Sequence, residues 1–224
     1  KLATFQGFKP WNTQLRDAVL HINAGQILAA ELAFQHQISG NLAQGFHHAI
    51  YEFGNSFCTF NGLALVAQQF PEKRIFVLDC DQHGGNGTAE FTRRFNNLFN
   101  FSIYGLAFGC PSYAYSETRH IHKDKGTFSQ YIIAIHEAFQ AALDWKADLI
   151  IYQAGMDCHQ DDPCGSRWFK TEYIQHRERM VFSLAKKHGI PLMFVLAGGY
   201  QALEPLVQLH VETIKIAQHV YFTN

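Results

Sequence analysis

The stretch RIFVLDCDQHGGNGTAEF, Arg74 to Phe91, passes from an apolar run to acids, an imidazole and glycines within a few residues. Ile75 to Leu78 form a continuous apolar run of the kind a strand needs when both of its faces are covered, as in a parallel sheet sandwiched by helices. Polar groups are excluded from the middle of such a strand but are at home beyond its carboxyl end, where open α/β sheets bind ligands. Asp79, Asp81 and His83 occupy alternate positions just there, so this stretch reads as the lip of a site.

Working outward, other apolar runs recur at Phe99–Leu106, Asp148–Gln153 and Pro191–Ala197, each an expected strand. Helical periodicity lies between them. Leu15, Val19, Ile22, Ile27, Ala30 and Phe34 give one helix with a slip near Gly25. Ile132, Ile135, Phe139 and Leu143 give another, and Thr171 to His188 a third, with Thr171 as N-cap candidate and Gly189 as terminator. Alternation of this kind predicts a three-layer α/β/α arrangement around a mainly parallel sheet. No repeat or linker divides the chain, so residues 1–224 read as a single domain.

Composition narrows the function. With 47% hydrophobic and 17% charged residues the chain has the balance of a globular domain, and a formal net charge of -1 argues against nucleic acid held by bulk electrostatics. No apolar run approaches a membrane span and no signal peptide opens the sequence, which makes the cytoplasm the default location. Five cysteines, without a Cys-x-x-Cys pair, favour free thiols over a disulfide framework or a thiolate zinc site.

Each later strand also ends in polar residues. ADLIIYQAGMDCHQDD (147–162) places Gly155 and Asp157 beyond one strand, IPLMFVLAGGYQ (190–201) places Gly198, Gly199 and Tyr200 beyond another, and SGNLAQGFHHA (39–49) delivers His47 and His48. A lone Asp after a strand is usually a turn residue, and most of the 13 histidines are expected to serve solubility or packing. Four such motifs at four strand ends are another matter, because parallel strands present all their carboxyl ends to one side. Two carboxylates and an imidazole suit a catalytic divalent ion, commonly zinc, with a position left open for water. Adjacent histidines offer a base, and a tyrosine offers a neutral donor to a developing oxyanion.

In this order and at these distances, GFHHA, SFCTFNGLALVA, VLDCDQHGGNGTAEF, YQAGMD and AGGYQ resemble the zinc-dependent histone deacetylase superfamily of the arginase–deacetylase fold, most closely its class IV branch and bacterial relatives. The resemblance implies that Asp81, His83 and Asp157 bind one Zn²⁺ per chain. It further implies that His47 and His48 activate water and protonate the leaving amine, and that Tyr200 hydrogen-bonds the substrate carbonyl. By the same resemblance Asp79 orients the first histidine and, with Ser102, lines a structural monovalent-cation (K⁺) site, while Phe57 and Gly199 line the acyl-lysine tunnel. Cys58 and Cys158, close to these motifs, read as packing residues because metal-assisted hydrolysis needs no covalent intermediate.

The chain also departs from the family pattern. Asn86 stands where many relatives outside class IV carry an aspartate that partners the second histidine; Asp161 replaces a glycine and Pro163 an arginine, and Gly84 and Ser56 are unusual. Relative to the family, the chain begins near the helix that precedes the His-His segment, so the domain reads as truncated at its N-terminus. Ser39 to Leu42 are then expected to form an open sheet edge, which favours a homodimer or an unstable, weakly active chain. The function implied is zinc-dependent removal of acyl groups from lysine side chains of proteins. The alternatives are deacetylation of acetylated polyamines or other small amines, and a non-catalytic member of the family.

Overall fold

The structure, a computed structural model, describes residues 7, 10–106, 109–122, 125–165 and 167–223. In chain order the elements are α1 (Thr13–His36), β1 (Ile38–Gln44), α2 (Gly62–Gln69), β2 (Ile75–Asp79), α3 (Asn86–Phe91), β3 (Leu98–Tyr104), β4 (Ser116–His120), α4 (Phe128–Asp144), β5 (Leu149–Ala154), α5 (Thr171–His188), β6 (Leu192–Leu196) and α6 (Leu203–Phe222). The six strands form one sheet, ordered β1-β6-β5-β2-β3-β4, and every pairing is parallel.

Alternation along β2 explains the layering. Ile75 and Val77 point into a core shared with Leu149, Ile151, Met193 and Val195, which α1 and α2 cover through Ala29, Ala30, Leu63 and Val66. Phe76 and Leu78 point the other way, into a larger core closed by α4, α5 and α6. All five residues of β2 and all six of β5 are buried, as strands covered on both faces require.

Two local expectations need correction, and one strand is not announced by the sequence. α1 runs unbroken through Gly25, whose role is one of packing: a β-carbon there would come within 3.1 Å of the Asn41 side chain on β1. Thr171 is the first residue of α5 rather than its cap; Lys170 holds that position without a side-chain bond, and Thr171 Oγ1 instead pairs with His159 Nε2 at 3.1 Å. β4 had no apolar run to announce it. Its sequence, SETRH, suits an edge strand, which among the described residues pairs with β3 alone. At the opposite edge β1 pairs only with β6 among the described residues, and Leu42 is exposed.

Candidate active site

The carboxyl ends of β1, β2, β5 and β6 open onto one cavity of about 760 Å³, lined by residues that include His47, His48, Asp81, Gln153 and Tyr200. Around β2 the chain order reverses, with β3 on one side and β5 on the other, which is where loops splay apart and leave a crevice.

On the floor of this crevice, Asp81, His83 and Asp157 place one ligand atom each within 4.8 Å of one another. His83 Nδ1 faces Asp81 Oδ1 at 3.2 Å and Asp157 Oδ2 at 3.0 Å. The carboxylates are aimed by backbone donors: His83 N–H donates to Asp81 Oδ1, Gly198 N–H to Asp81 Oδ2 and Gln82 N–H to Asp157 Oδ1, at 2.9, 2.7 and 3.0 Å. Burial, reinforced by Asp81, pushes the Asp157 carboxyl up to about 7. Burial would also raise Asp81, but His47 and His83 outweigh it and hold that carboxyl down. His83 is raised to about 10, its burial overcome by hydrogen bonds to Asp157 and Asp81. Two buried acids converging on one imidazole in this way form a donor set that fits a divalent cation, which offsets their mutual repulsion.

His47 and His48 lie directly above, their rings 4.0 Å apart between centroids. His47 Nδ1 donates to Asp79 Oδ2 at 2.8 Å; burial alone would lower its pKa, but the Asp79, Asp81 and Asp157 charges lift it to about 8. His48 Nδ1 donates to Asn86 Oδ1 at 2.6 Å, and burial together with the neighbouring His47 charge drives it down to about 3. The two imidazoles are therefore pulled in opposite directions, His47 upward and His48 downward. Tyr200 stands over the opposite side, its ring edge-on to His83 with centroids 6.0 Å apart. Burial and the Asp81 and Asp157 charges raise its pKa, so the hydroxyl keeps its proton.

The remaining residues singled out from sequence fall around this centre. Asp79 is fully buried and sits opposite Ser102 in the β2–β3 register; Ser102 Oγ accepts from Gly85 N–H at 3.2 Å. Phe57 and Gly199 line the mouth of the cavity. Cys58 and Cys158 are buried thiols pushed up to about 12 by burial, unsuited to nucleophilic attack.

Sequence reading had passed over Gln153 and Asn61. Gln153 Nε2 donates to Asp79 Oδ1 at 3.2 Å, bracing the residue that orients His47. Asn61 caps α2 and donates to Ala49 O at 3.2 Å, tying the His-His loop to that helix. Gln153 lay within YQAGMD, where an uncharged polar residue in a buried strand was the available signal; an N-cap asparagine carries no signal beyond the helix start.

Comparison with known proteins gives the family. A family model described as the histone deacetylase domain matches residues 4–214. An uncharacterized protein of Picosynechococcus sp. is 30% identical over 219 residues, covering 95% of this chain and 73% of that protein. Histone deacetylase 2 of Arabidopsis thaliana is 29% identical over 184 residues, covering 79% of this chain and 48% of the plant protein, so the chain spans about half of that relative's length. Among solved structures, acetylpolyamine aminohydrolase from Burkholderia pseudomallei superposes with a TM-score of 0.75 at 19% identity, over 89% of this chain and 62% of that one, a likeness of fold. With the family model extending over nearly the whole sequence, this chain belongs to the histone deacetylase domain family.

Proposed function

We propose that the chain is a zinc-dependent amidohydrolase that removes acyl groups from lysine side chains of proteins, with Asp81, His83 and Asp157 as the metal ligands. The observation that carries this reading is the convergence of those three residues, within 4.8 Å, beneath the His47–His48 pair, whose ring centroids lie 4.0 Å apart. Bound there, zinc would supply Lewis-acid polarisation of the amide carbonyl and a water acidified toward neutrality.

The protein's own groups would do the rest. His48, held through Nδ1 by Asn86, is the group we assign to take the proton of the attacking water and pass it to the departing amine nitrogen. His47, held through Nδ1 by Asp79, stands beside His48 over the reacting centre, and the Tyr200 hydroxyl donates a hydrogen bond to the former carbonyl oxygen. In the balanced reaction the C–N bond breaks, the C–O bond forms, and the amine leaves with one proton from water. Asp79 and Ser102, paired in register, are the oxygens we assign to a structural monovalent cation.

The cavity supports acyl-lysine over a polyamine. A polycationic chain calls for carboxylates along the site, whereas Leu42, Phe57, Leu203, Leu206 and Val207 give this cavity a largely apolar lining, and among the described lining residues Asp81 is the only acid. An apolar collar fits the methylene stem of an acylated lysine, whose charge the acyl group has removed. The test is metal analysis with hydrolysis of an acyl-lysine peptide and an acetylated polyamine. About one Zn²⁺ per chain and preference for the peptide are expected, with both metal and turnover lost in Asp157→Ala. Unchanged zinc content in that variant would overturn the ligand set.

A further inference from the structure

We propose that Asp162 is a positioning residue for the reaction, fixing Tyr200 over the metal-ligand cluster by holding its main chain; the proposal rests on the reading of Tyr200 as the donor to the substrate carbonyl. Asp162 lies on the loop after β5, and its side chain is fully buried. Its Oδ2 accepts the Tyr200 N–H at 2.6 Å, and its Oδ1 accepts the Cys164 N–H at 2.9 Å.

The bond to Cys164, two residues on, is the ordinary turn an aspartate makes with its own backbone. The bond to Tyr200 has no such local reason, since it joins the β5 loop to the β6 loop across 38 positions of sequence. A carboxylate receiving a backbone N–H forms a short, charge-assisted bond, about twice as strong as a neutral one.

Tyr200 needs such an anchor. It follows Gly198 and Gly199 and its residue is 45% exposed, so packing fixes it only in part. Upstream, the loop is pinned at Gly198, whose carbonyl accepts from Met156 N–H and Asp157 N–H at 2.6 and 2.9 Å. Those bonds fix Gly198 and leave the following residues to swing. Asp162 supplies the second fixed point, directly at Tyr200, and a hinge held at two points presents its side chain in one direction.

The experiment is a double-mutant cycle on the zinc-loaded protein, using an acyl-lysine peptide, with zinc content measured for every variant and amide hydrogen exchange followed at Tyr200. Tyr200→Phe is expected to lower kcat by about 10²–10³-fold. The near-isosteric Asp162→Asn is expected to lower kcat by about 10-fold or more with KM and zinc content unchanged, because displacement of a catalytic group by ~1 Å can cost ~10²-fold. Placed on Tyr200→Phe, the same change is expected to cost less than about 2-fold, the mark of two residues acting through one interaction. Exchange of the Tyr200 amide is expected to accelerate in Asp162→Asn. Equal losses in both backgrounds, or an unchanged Tyr200 amide, overturn the positioning role. Wild-type turnover in Tyr200→Phe overturns the reading of Tyr200 itself, and is distinct from an impaired Tyr200→Phe beside a fully active Asp162→Asn, which overturns Asp162 alone. Should Asp162→Asn fail to fold, Asp162→Ser, which keeps an acceptor for the turn, goes through the same cycle.

Discussion

Gly198 lies against Asp157 with no space for a side chain between them: a β-carbon on Gly198 would fall on Asp157 Oδ2 and within 2.7 Å of Asp81 Oδ2. The glycine N–H meanwhile donates to Asp81 Oδ2 at 2.7 Å, so one residue touches both proposed acidic ligands. Gly198→Ala is therefore expected to push the carboxylates apart while leaving the sheet beneath intact. Chelator competition should register a fall in zinc affinity of about 10- to 100-fold, comparable to the loss of a residue that orients metal ligands. Native far-ultraviolet circular dichroism should persist. Wild-type affinity in the alanine variant would mean that the two loops yield freely.

Beneath the site, Arg177 on α5 is wholly buried and donates through Nη1 to Gly155 O at 2.8 Å and through Nη2 to Glu178 Oε1 at 2.6 Å. Tyr152 OH donates to the same Glu178 oxygen at 2.9 Å. Removing one member of a buried ion pair leaves its partner uncompensated, which typically costs about 3–5 kcal/mol. Arg177→Ala is expected to lose about that much in urea denaturation, and Arg177→Met combined with Glu178→Leu to lose less. A double variant weaker than Arg177→Ala would contradict this account.

The residues that carried the fold were legible because burial on both faces forces an unbroken apolar run; β2, β5 and β6 all show one. β4 was not, since an edge strand with half its surface in water can be written in polar residues such as Ser-Glu-Thr-Arg-His. Site residues were visible where polar side chains interrupt strand ends, as at Asp79, Asp81 and Asp157. The groups that brace them were not. Gln153 and Asp162 act through contacts with residues 74 and 38 positions away, and no local pattern records a partner at that distance.

At the cavity mouth, Ser56 and Phe57 form the centre of a tight two-residue turn, with Asn55 and Cys58 exchanging N–H to carbonyl bonds at 2.9 and 2.8 Å. Both central residues have positive φ, 45° for Ser56 and 62° for Phe57, a conformation for which this hairpin turn normally recruits asparagine or glycine. Holding a non-glycine residue there costs on the order of 1–3 kcal/mol. Part of that gain is returned through glycine's freer unfolded chain, so Ser56→Gly is expected to stabilise by about 1 kcal/mol, or roughly 2–4 °C in Tm. A lower Tm would show that the Ser56 hydroxyl, 3.2 Å from Asn55 Oδ1, contributes more than the strain removes.

His210, on the part of α6 that lines the cavity, has no hydrogen-bond partner at Nδ1 among the described residues. Burial, aided by the charge of Arg177, lowers its pKa from 6.5 to about 4. The folded protein thus keeps this imidazole neutral over a range where the unfolded chain binds a proton. Because stability rises with pH wherever the unfolded state holds more protons, His210 contributes its full share above pH 6.5 and loses it as the pH falls through that window toward about 4. His210→Gln removes the titration while keeping a polar side chain of similar reach. In urea denaturation across pH 4 to 7, the difference between wild type and His210→Gln is expected to shift steadily in favour of the variant as the pH drops. A difference that stays constant across the window would mean that His210 gains a proton as readily in the folded protein as in the unfolded chain.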